Sequence, residues 1–347
     1  MQENNENGPD QSDLALDSHV EGTVQLSTRQ LAQLLSFSDK GRNQFCPLPI
    51  DLAAEAPDQV FLELMASYGW VSKSGQASNL VLSSLIEQVL NSLLTPQTRV
   101  QLILGSPTEM VSTHLYSPKG YQDEQLTTYT FREAEDLHII RPQVSPSKVS
   151  DALLANLLLG PRKGGFSFEL QLSEDLLVGF LAVLDLLYAR RLEAKLDGEL
   201  YPVLNFTDKD LENRFNAIRM GEDLLWLSAL APYLFPNLDP QLFDGKTRIM
   251  LDELAARKLL TPVRKGFFQP SDFTLALSEA LIPQISYASI AIADLENSGL
   301  HLGFFVGPNA NVVLRFSKQH GENLAEMTGM DGIQFSRLLF EIGLPEK

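Results

Sequence analysis

The strongest constraint on the fold is that the second part of the chain repeats the pattern of the first. Residues 24–27 (VQLS) and residues 170–173 (LQLS) each lead into an apolar helical pattern. Both end in a serine that is well placed to cap the following helix. Further on, residues 61–71 (FLELMASYGWV) match residues 250–260 (MLDELAARKLL). Such an ordered repetition is typical of one pseudo-symmetric body.

The first repeat is predicted to combine helices with strands. Apolar spacing predicts a helix from Asp58 to Tyr68, another that Ser78 caps and that runs to Leu94, and a closing helix from Pro146 to Leu159. Between them, residues that favour extended structure predict four strands. The predicted strands are Arg99–Leu104, Met110–Tyr116, Gln125–Phe131 and Asp136–Arg141.

The second repeat follows the same plan with an insertion. The two copies are offset by 146 residues at the opening motif and by 189 at the second helix, so about 43 extra residues lie between these points. A helical region with Asp208 as its cap is predicted there, and Ser271 is predicted to cap a later helix. The remaining predicted elements are strands at Ser286–Asp294, Leu300–Val306 and Asn311–Phe316 and a closing helix at Gly332–Ile342.

These patterns predict an α+β fold with two pseudo-symmetric, related halves and a central antiparallel sheet flanked by helical bundles. We expect a disordered acidic tail over residues 1–22, a first α+β repeat over 23–165, and a second over 166–347 with a helical insertion at about 191–246. The segment 160–165 (GPRKGG) is the predicted boundary, and it is short enough for the halves to pack together.

Charge limits the classes of partner. The formal net charge is −17, which disfavours nucleic acid and anionic membrane surfaces, because both attract Lys and Arg. A single cysteine, Cys46, rules out an intrachain disulfide and fits a reducing compartment. Residues 1–21 hold six acidic residues and no Lys or Arg, unlike a signal peptide, and the apolar run 176–188 is too short to span a bilayer. We therefore expect a cytoplasmic protein without an integral membrane segment.

Local motifs for catalysis are absent from the sequence. It has no Gly-x-Ser-x-Gly elbow, no phosphate-binding glycine loop and no dinucleotide glycine motif. No two histidines have metal-ligand spacing, although His114 and His301 lie in corresponding predicted strands, where a shared site is the alternative to ordinary strand histidines. The acidic group 133–136 is expected to be a solvated turn. We predict no catalytic residues, no metal site and no cofactor.

Aromatic residues on two predicted hairpins are the candidates for partner binding. Tyr116 and Tyr121 lie on or beside the first hairpin, and Phe304 and Phe305 occupy the matching place in the second half. Adjacent strand residues point to opposite faces, so one of the two phenylalanines is a candidate for surface exposure. Burial of both under helices on the two faces is the alternative.

The order of these elements resembles a known family. Val24–Ser27 resembles the Val-x-Leu-Thr strand that opens the EspG-like cytosolic chaperones of type VII secretion, and Tyr68–Val71 resembles their Leu-Gly-Leu-Val helix end. The resemblance covers most of residues 23–345, and the large insertion departs from the family pattern. It implies a pseudo-two-fold fold and paired, secreted helical clients.

The functional hypothesis is therefore a non-enzymatic cytosolic protein that binds, masks and delivers a protein client. Three alternatives stay open: a structural or assembly subunit of a larger complex, an enzyme with its site between the halves, and a winged-helix-like regulator. The last would need a basic recognition helix, and residues 78–94 contain no Lys or Arg. The sequence leaves the oligomeric state open.

Overall fold

The computed structural model describes residues 23–73, 80–121, 126–157, 166–199, 204–220, 226–234, 245–295, 299–319 and 322–342. The predicted tail (1–22), the boundary segment (160–165) and Ser78 lie outside these ranges. The first half contains β1 (Val24–Leu26), α1 (Thr28–Leu35), α2 (Gln59–Ser67), β2 (Val71–Lys73), β3 (Leu80–Leu82), α3 (Ser84–Leu94), β4 (Thr98–Gly105), β5 (Met110–Ser117), β6 (Leu126–Arg132), a 3-10 turn (Glu133–Glu135), β7 (Leu137–Val144) and α4 (Pro146–Leu157).

The second half has the same order of elements, with extra helices after its first long helix. It contains β8 (Phe168–Ser173), α5 (Glu174–Leu196), α6 (Asp208–Met220), a 3-10 turn (Leu227–Leu230), α7 (Ala231–Leu234), α8 (Thr247–Ala256), β9 (Leu260–Arg264), β10 (Phe267–Pro270), α9 (Asp272–Leu281), β11 (Ser286–Asp294), β12 (Leu300–Val306), β13 (Asn311–Gln319), β14 (Glu322–Met330) and α10 (Gly332–Ile342).

Side-chain caps start the helices at the predicted places. Ser27 forms a capping box with Gln30, whose backbone N–H donates to Ser27 Oγ over 3.3 Å while Gln30 Oε1 accepts from the Ser27 N–H over 2.8 Å. Ser173 and Ser271 likewise accept from the backbone of the first turns of α5 and α9. Because these caps satisfy backbone donors that the helix leaves unpaired, they fix where each strand turns into a helix.

Ten strands form one antiparallel sheet. Their order is β1-β7-β6-β5-β4-β11-β12-β13-β14-β8, so each half supplies five neighbouring strands, and its opening strand lies at an outer edge beside its last strand. The halves meet where β4 pairs with β11, from Thr98 opposite Asp294 to Gly105 opposite Tyr287. The predicted α+β class with a large central antiparallel sheet is confirmed.

The two faces of this sheet are covered differently. On the face that we call face A, α4 and α10 pack together over one core that draws residues from both halves, including Val100, Leu153, Phe304 and Phe335. On the opposite face, face B, there are two separate cores, and the second reaches across the midline to Ile103 of β4. One packs under α1, α2 and α3, and the other packs under α5, α6, α8 and α9.

Several predicted elements needed correction. Residues Leu80–Leu82 form β3 and pair with β2, and Ser83 is the N-cap residue of α3, so that helix begins later than predicted. The hairpin of β9 and β10 and the strand β14 were not predicted. Helix α6 begins at Asp208 itself, because Thr207 exchanges hydrogen bonds with Asp210 in the capping position.

Candidate functional site

A single row of residues crosses face B from one edge of the sheet to the other. Paired across neighbouring strands, its members are Val24, Ile140, Tyr129, His114, Gln101, Ala291, His301, Phe316, Ala325 and Leu172. Residues directly opposite one another in a sheet point to the same face, so all ten side chains lie on face B.

Burial changes along this row. Val24, Tyr129 and Ile140 belong to the core of the first half, and Leu172 and Ala325 belong to that of the second half. The middle of the row, Gln101, His114, Ala291 and His301, is half-buried and belongs to neither core. Ser112, two residues before His114 and therefore on the same face, is exposed. We call these five residues the central strip.

The central strip lies between two groups of helices, one of which also packs on β5, the strand that carries Ser112 and His114. On the first-half side α3 packs on β5 and β6, and on the second-half side α5 packs on β8 and β14. His114 and His301 are three strands apart, which corresponds to about 14 Å at the usual strand spacing. This separation of the two strands is slightly more than the diameter of one helix with its side chains, about 10–12 Å.

The two histidines of the central strip are kept neutral by their surroundings. Burial lowers the pKa of His301 to about 4, and its ring packs at a tilt of 40° against Phe316 with the centroids 4.3 Å apart. Its Nε2 lies 3.3 Å from Ser289 Oγ. Burial, and then the charge of Arg99, lower the pKa of His114. Two neutral imidazoles give the strip hydrogen-bonding capacity without charge.

A metal site shared by His114 and His301 does not fit this geometry. Ligands of one zinc ion each lie about 2 Å from it, whereas these residues stand about 14 Å apart along the row. Within the described residues, no group of three or more His, Cys, Asp or Glu side chains could hold a metal ion.

All four residues that were predicted as partner contacts are buried, and for Phe304 and Phe305 this is the alternative that the strand pattern left open. Phe304 and Phe305 are fully buried, one on face A against Phe335 and the other on face B in the second-half core. Tyr116 and Tyr121 are 5% and 6% exposed, and burial raises the pKa of Tyr116 to about 12. Helices cover both faces at these positions, so none of the four is accessible to a partner.

The other polar clusters have structural roles. Asp185 on α5 is fully buried and accepts hydrogen bonds from the backbone N–H groups of Leu227 and Ser228 over 2.9 and 2.8 Å, with Arg214 3.9 Å away. It thus holds the inserted segment against α5. Burial raises its pKa to about 6, and Arg214 opposes the shift.

In the first half, His138 ties strand to helix. Its Nδ1 lies 2.9 Å from the Tyr129 hydroxyl, and its Nε2 lies 2.9 Å from Thr28 Oγ1 at the start of α1. The acidic residues 133–136 are exposed in the turn between β6 and β7, and Cys46 is a half-buried free thiol. A separate polar cleft of about 550 Å³ lies beside α3, lined among others by Lys40 and Glu87.

Comparison with known proteins gives limited information. No protein-family model matches the sequence, and no curated protein is similar to it. Among solved structures, the fold weakly resembles that of the Mycobacterium tuberculosis type VII secretion system chaperone EspG5, determined in complex with a PE25–PPE41 dimer. The alignment has 10% sequence identity and a TM-score of 0.41, and it covers 92% of this chain and 95% of that chain.

Proposed function

We propose that this protein is a non-enzymatic, chaperone-like binding protein that takes a protein client on face B. The observation that carries the proposal is the central strip, a half-buried, uncharged stretch of sheet between two helical groups. A surface of this kind offers hydrogen bonds and small side chains to a partner.

The width of the central strip favours a helical client. In this proposal one amphipathic helix lies on the central strip and contacts Ala291 and Gln101. That the client is a secreted protein is suggested by the sequence resemblance to EspG-like chaperones alone. The net charge of −17 attracts clients that are basic at the contact and repels acidic ones.

A matched pair of serine substitutions tests the proposal. Ser112 is exposed on the central strip, and Ser147 is exposed on α4, on the opposite side of the sheet. The tagged protein is purified from its native cells at low salt, and co-purifying proteins are quantified by mass spectrometry. We expect one helical protein in near-equal amount with the wild type and with Ser147→Arg, and its loss with Ser112→Arg.

Two results would contradict the proposal. Equal recovery of the client by Ser112→Arg would exclude the central strip as the contact, and recovery of no stoichiometric protein by the wild type would exclude a stable client. A partner that stays bound throughout a pulse–chase experiment would instead assign the protein to the assembly subunits, because a chaperone releases its client.

A further inference from the structure

Basic residues are concentrated in one segment of this acidic chain. Residues 246–265 contain six Lys and Arg residues and two acidic ones, whereas the whole chain has a net charge of −17. The segment comprises α8, β9 and Lys265 in the turn that leads into β10. Charges that are further apart than about 8 Å are largely screened at physiological ionic strength, so this segment acts locally as a basic surface.

The fold brings the two ends of this segment together. Helix α8 packs against β9, which returns along it, so the turn of the hairpin lies beside the start of the helix. The guanidinium of Arg248 lies over the Phe268 ring, 4.8 Å from its centroid, and its Nη1 is 3.8 Å from the place that a Cβ on Gly266 would occupy. The cations at this end of the hairpin, which we call the basic tip, are Lys246, Arg248, Arg264 and Lys265.

Two cations of the basic tip have no counter-charge among the described residues. Arg264 lies over the Phe267 ring with its Cζ 3.9 Å from the centroid, a stacking that leaves the in-plane N–H donors available to a carboxylate. Lys265 is exposed in the turn. Neither side chain forms a hydrogen bond or an ion pair within the described chain, whereas Arg248 is paired with Asp252 over 3.0 Å. The basic tip can therefore take carboxylates at Arg264 and Lys265.

Exposed apolar side chains adjoin the basic tip. Ile249 on α8 is 59% exposed and Val263 on β9 is 50% exposed, and each is next to a member of the basic tip in sequence. Apolar side chains that are covered on binding add to the affinity, while the charged groups around them give specificity. This combination suits a partner that has both carboxylates and apolar side chains.

The first half shows that the fold does not require these charges. At the repeat offset of 189, residues 57–76 correspond to 246–265, and they contain two acidic residues and one basic residue. The first half nevertheless forms the equivalent helix α2 and the hairpin of β2 and β3. The cations of the second copy are therefore not needed to build this part of the molecule.

We propose that the basic tip is a docking site for an acidic segment of a partner protein. Carboxylates of this segment pair with Arg264 and Lys265, and its apolar side chains cover Ile249 and Val263. The rest of the chain is strongly acidic, which repels an extended polyanion such as nucleic acid or an anionic membrane, whereas a short segment contacts the basic tip alone. This inference does not rest on the proposed function.

Fluorescence anisotropy with a labelled peptide of Glu-Glu-Leu repeats tests this site on the full-length chain. We expect the peptide to bind the wild type at low salt and Lys265→Glu to raise its Kd by about tenfold, because repulsion replaces attraction. Lys148→Glu makes the same change of charge at an exposed position of α4 and should leave the Kd within about twofold of the wild-type value. A peptide of Gln-Gln-Leu repeats should not bind.

Raising NaCl should weaken binding of the acidic peptide more in the wild type than in Lys265→Glu, because salt screens the ion pair that the variant lacks. If Lys265→Glu does not fold, Arg264→Gln takes its place. No binding to the wild type, equal Kd values for the wild type and Lys265→Glu, or equal binding of the two peptides would overturn the proposal. Displacement of the peptide by phosphatidylserine vesicles, or a wild-type dimer in sedimentation that Lys265→Glu abolishes, would assign the basic tip to a membrane or to a second copy and would also overturn it.

Discussion

The two faces of the sheet differ in how their cores join the two halves. On face A a single core crosses the midline, with Phe335 of α10 packed edge-to-face on Phe304 at 5.9 Å between ring centroids. On face B there are two cores, of which the second takes in Ile103 from the first half, and Gln101 and Ala291 are half-buried and belong to neither. Face A therefore joins the two halves through one core, whereas the middle of face B is only half-buried.

The largest expected effect comes from removing a side chain of the shared core. Phe335 is 1% exposed, and Phe335→Ala should lower the free energy of unfolding by about 3–5 kcal/mol. Trp70 lies in the first-half core and Trp226 in the insertion, so single-tryptophan variants report on the two halves separately. Urea midpoints from both tryptophans should fall together. Ile333→Ala, at an 84% exposed position of the same helix, should stay within about 0.5 kcal/mol of the wild type.

If Phe335→Ala lowered the urea midpoint at Trp226 alone, the face A core would not couple the two halves, and the contrast between the two faces would be wrong.

The second prediction concerns the buried carboxyl of Asp185 on α5, in the second half. Burial raises the folded-state pKa of Asp185 from 3.8 to about 6, so the folded state binds a proton more tightly than the unfolded state. The stability that this carboxyl contributes is complete below pH 4 and is lost as pH rises through 6. The loss is on the order of 3 kcal/mol for a shift of this size.

Urea unfolding of the wild type and Asp185→Asn across pH 4–7.5 checks this sign. The asparagine variant cannot titrate there, so the wild type should lose stability relative to it as pH rises. A difference between the two proteins that is constant over this range would exclude the raised pKa.

The third and smallest prediction compares two alanines on one strand. Ala288 of β11 is fully buried on face A, whereas Ala291 belongs to the central strip. Ala288→Leu should lower the free energy of unfolding by about 1–3 kcal/mol, because it overpacks a closed core. Ala291→Leu should change it by less than about 0.5 kcal/mol, since its side chain can extend into the open strip. Urea unfolding of both variants measures the difference, and equal losses would show that the strip is as closed as the core.

The sequence predicts much of the fold because its local signals are strong. Ser173 caps α5 as predicted, and the predicted bounds of β12 (Leu300–Val306) agree with the structure. Strand β14 (ENLAEMTGM) was missed because it has few β-branched or aromatic residues, and its extended conformation comes from pairing with β13 and β8.

The central strip could not be predicted because it depends on register. His114 and Gln101 meet only through the pairing of β4 with β5, and Ala291 joins them only through the pairing of β4 with β11. Nothing local in the sequence specifies such contacts between distant segments. The sequence did place His114 and His301 on corresponding strands, which was the one available signal. Exposure or burial of Phe304 and Phe305 could not be decided from the sequence, because alternation along a strand does not reveal that helices cover both faces.

The antiparallel pairing of β4 with β11 suggests how a chain with two related halves can arise from two copies of one half. A chain that ended after α4 would carry β4 as an open edge, and the same edge on a second copy could pair with it around a two-fold axis. When both edge strands belong to one polypeptide, their pairing no longer depends on the protein concentration. Each half then no longer has to be complementary to an identical copy, so the first half can carry Arg141 where the second half carries Thr328.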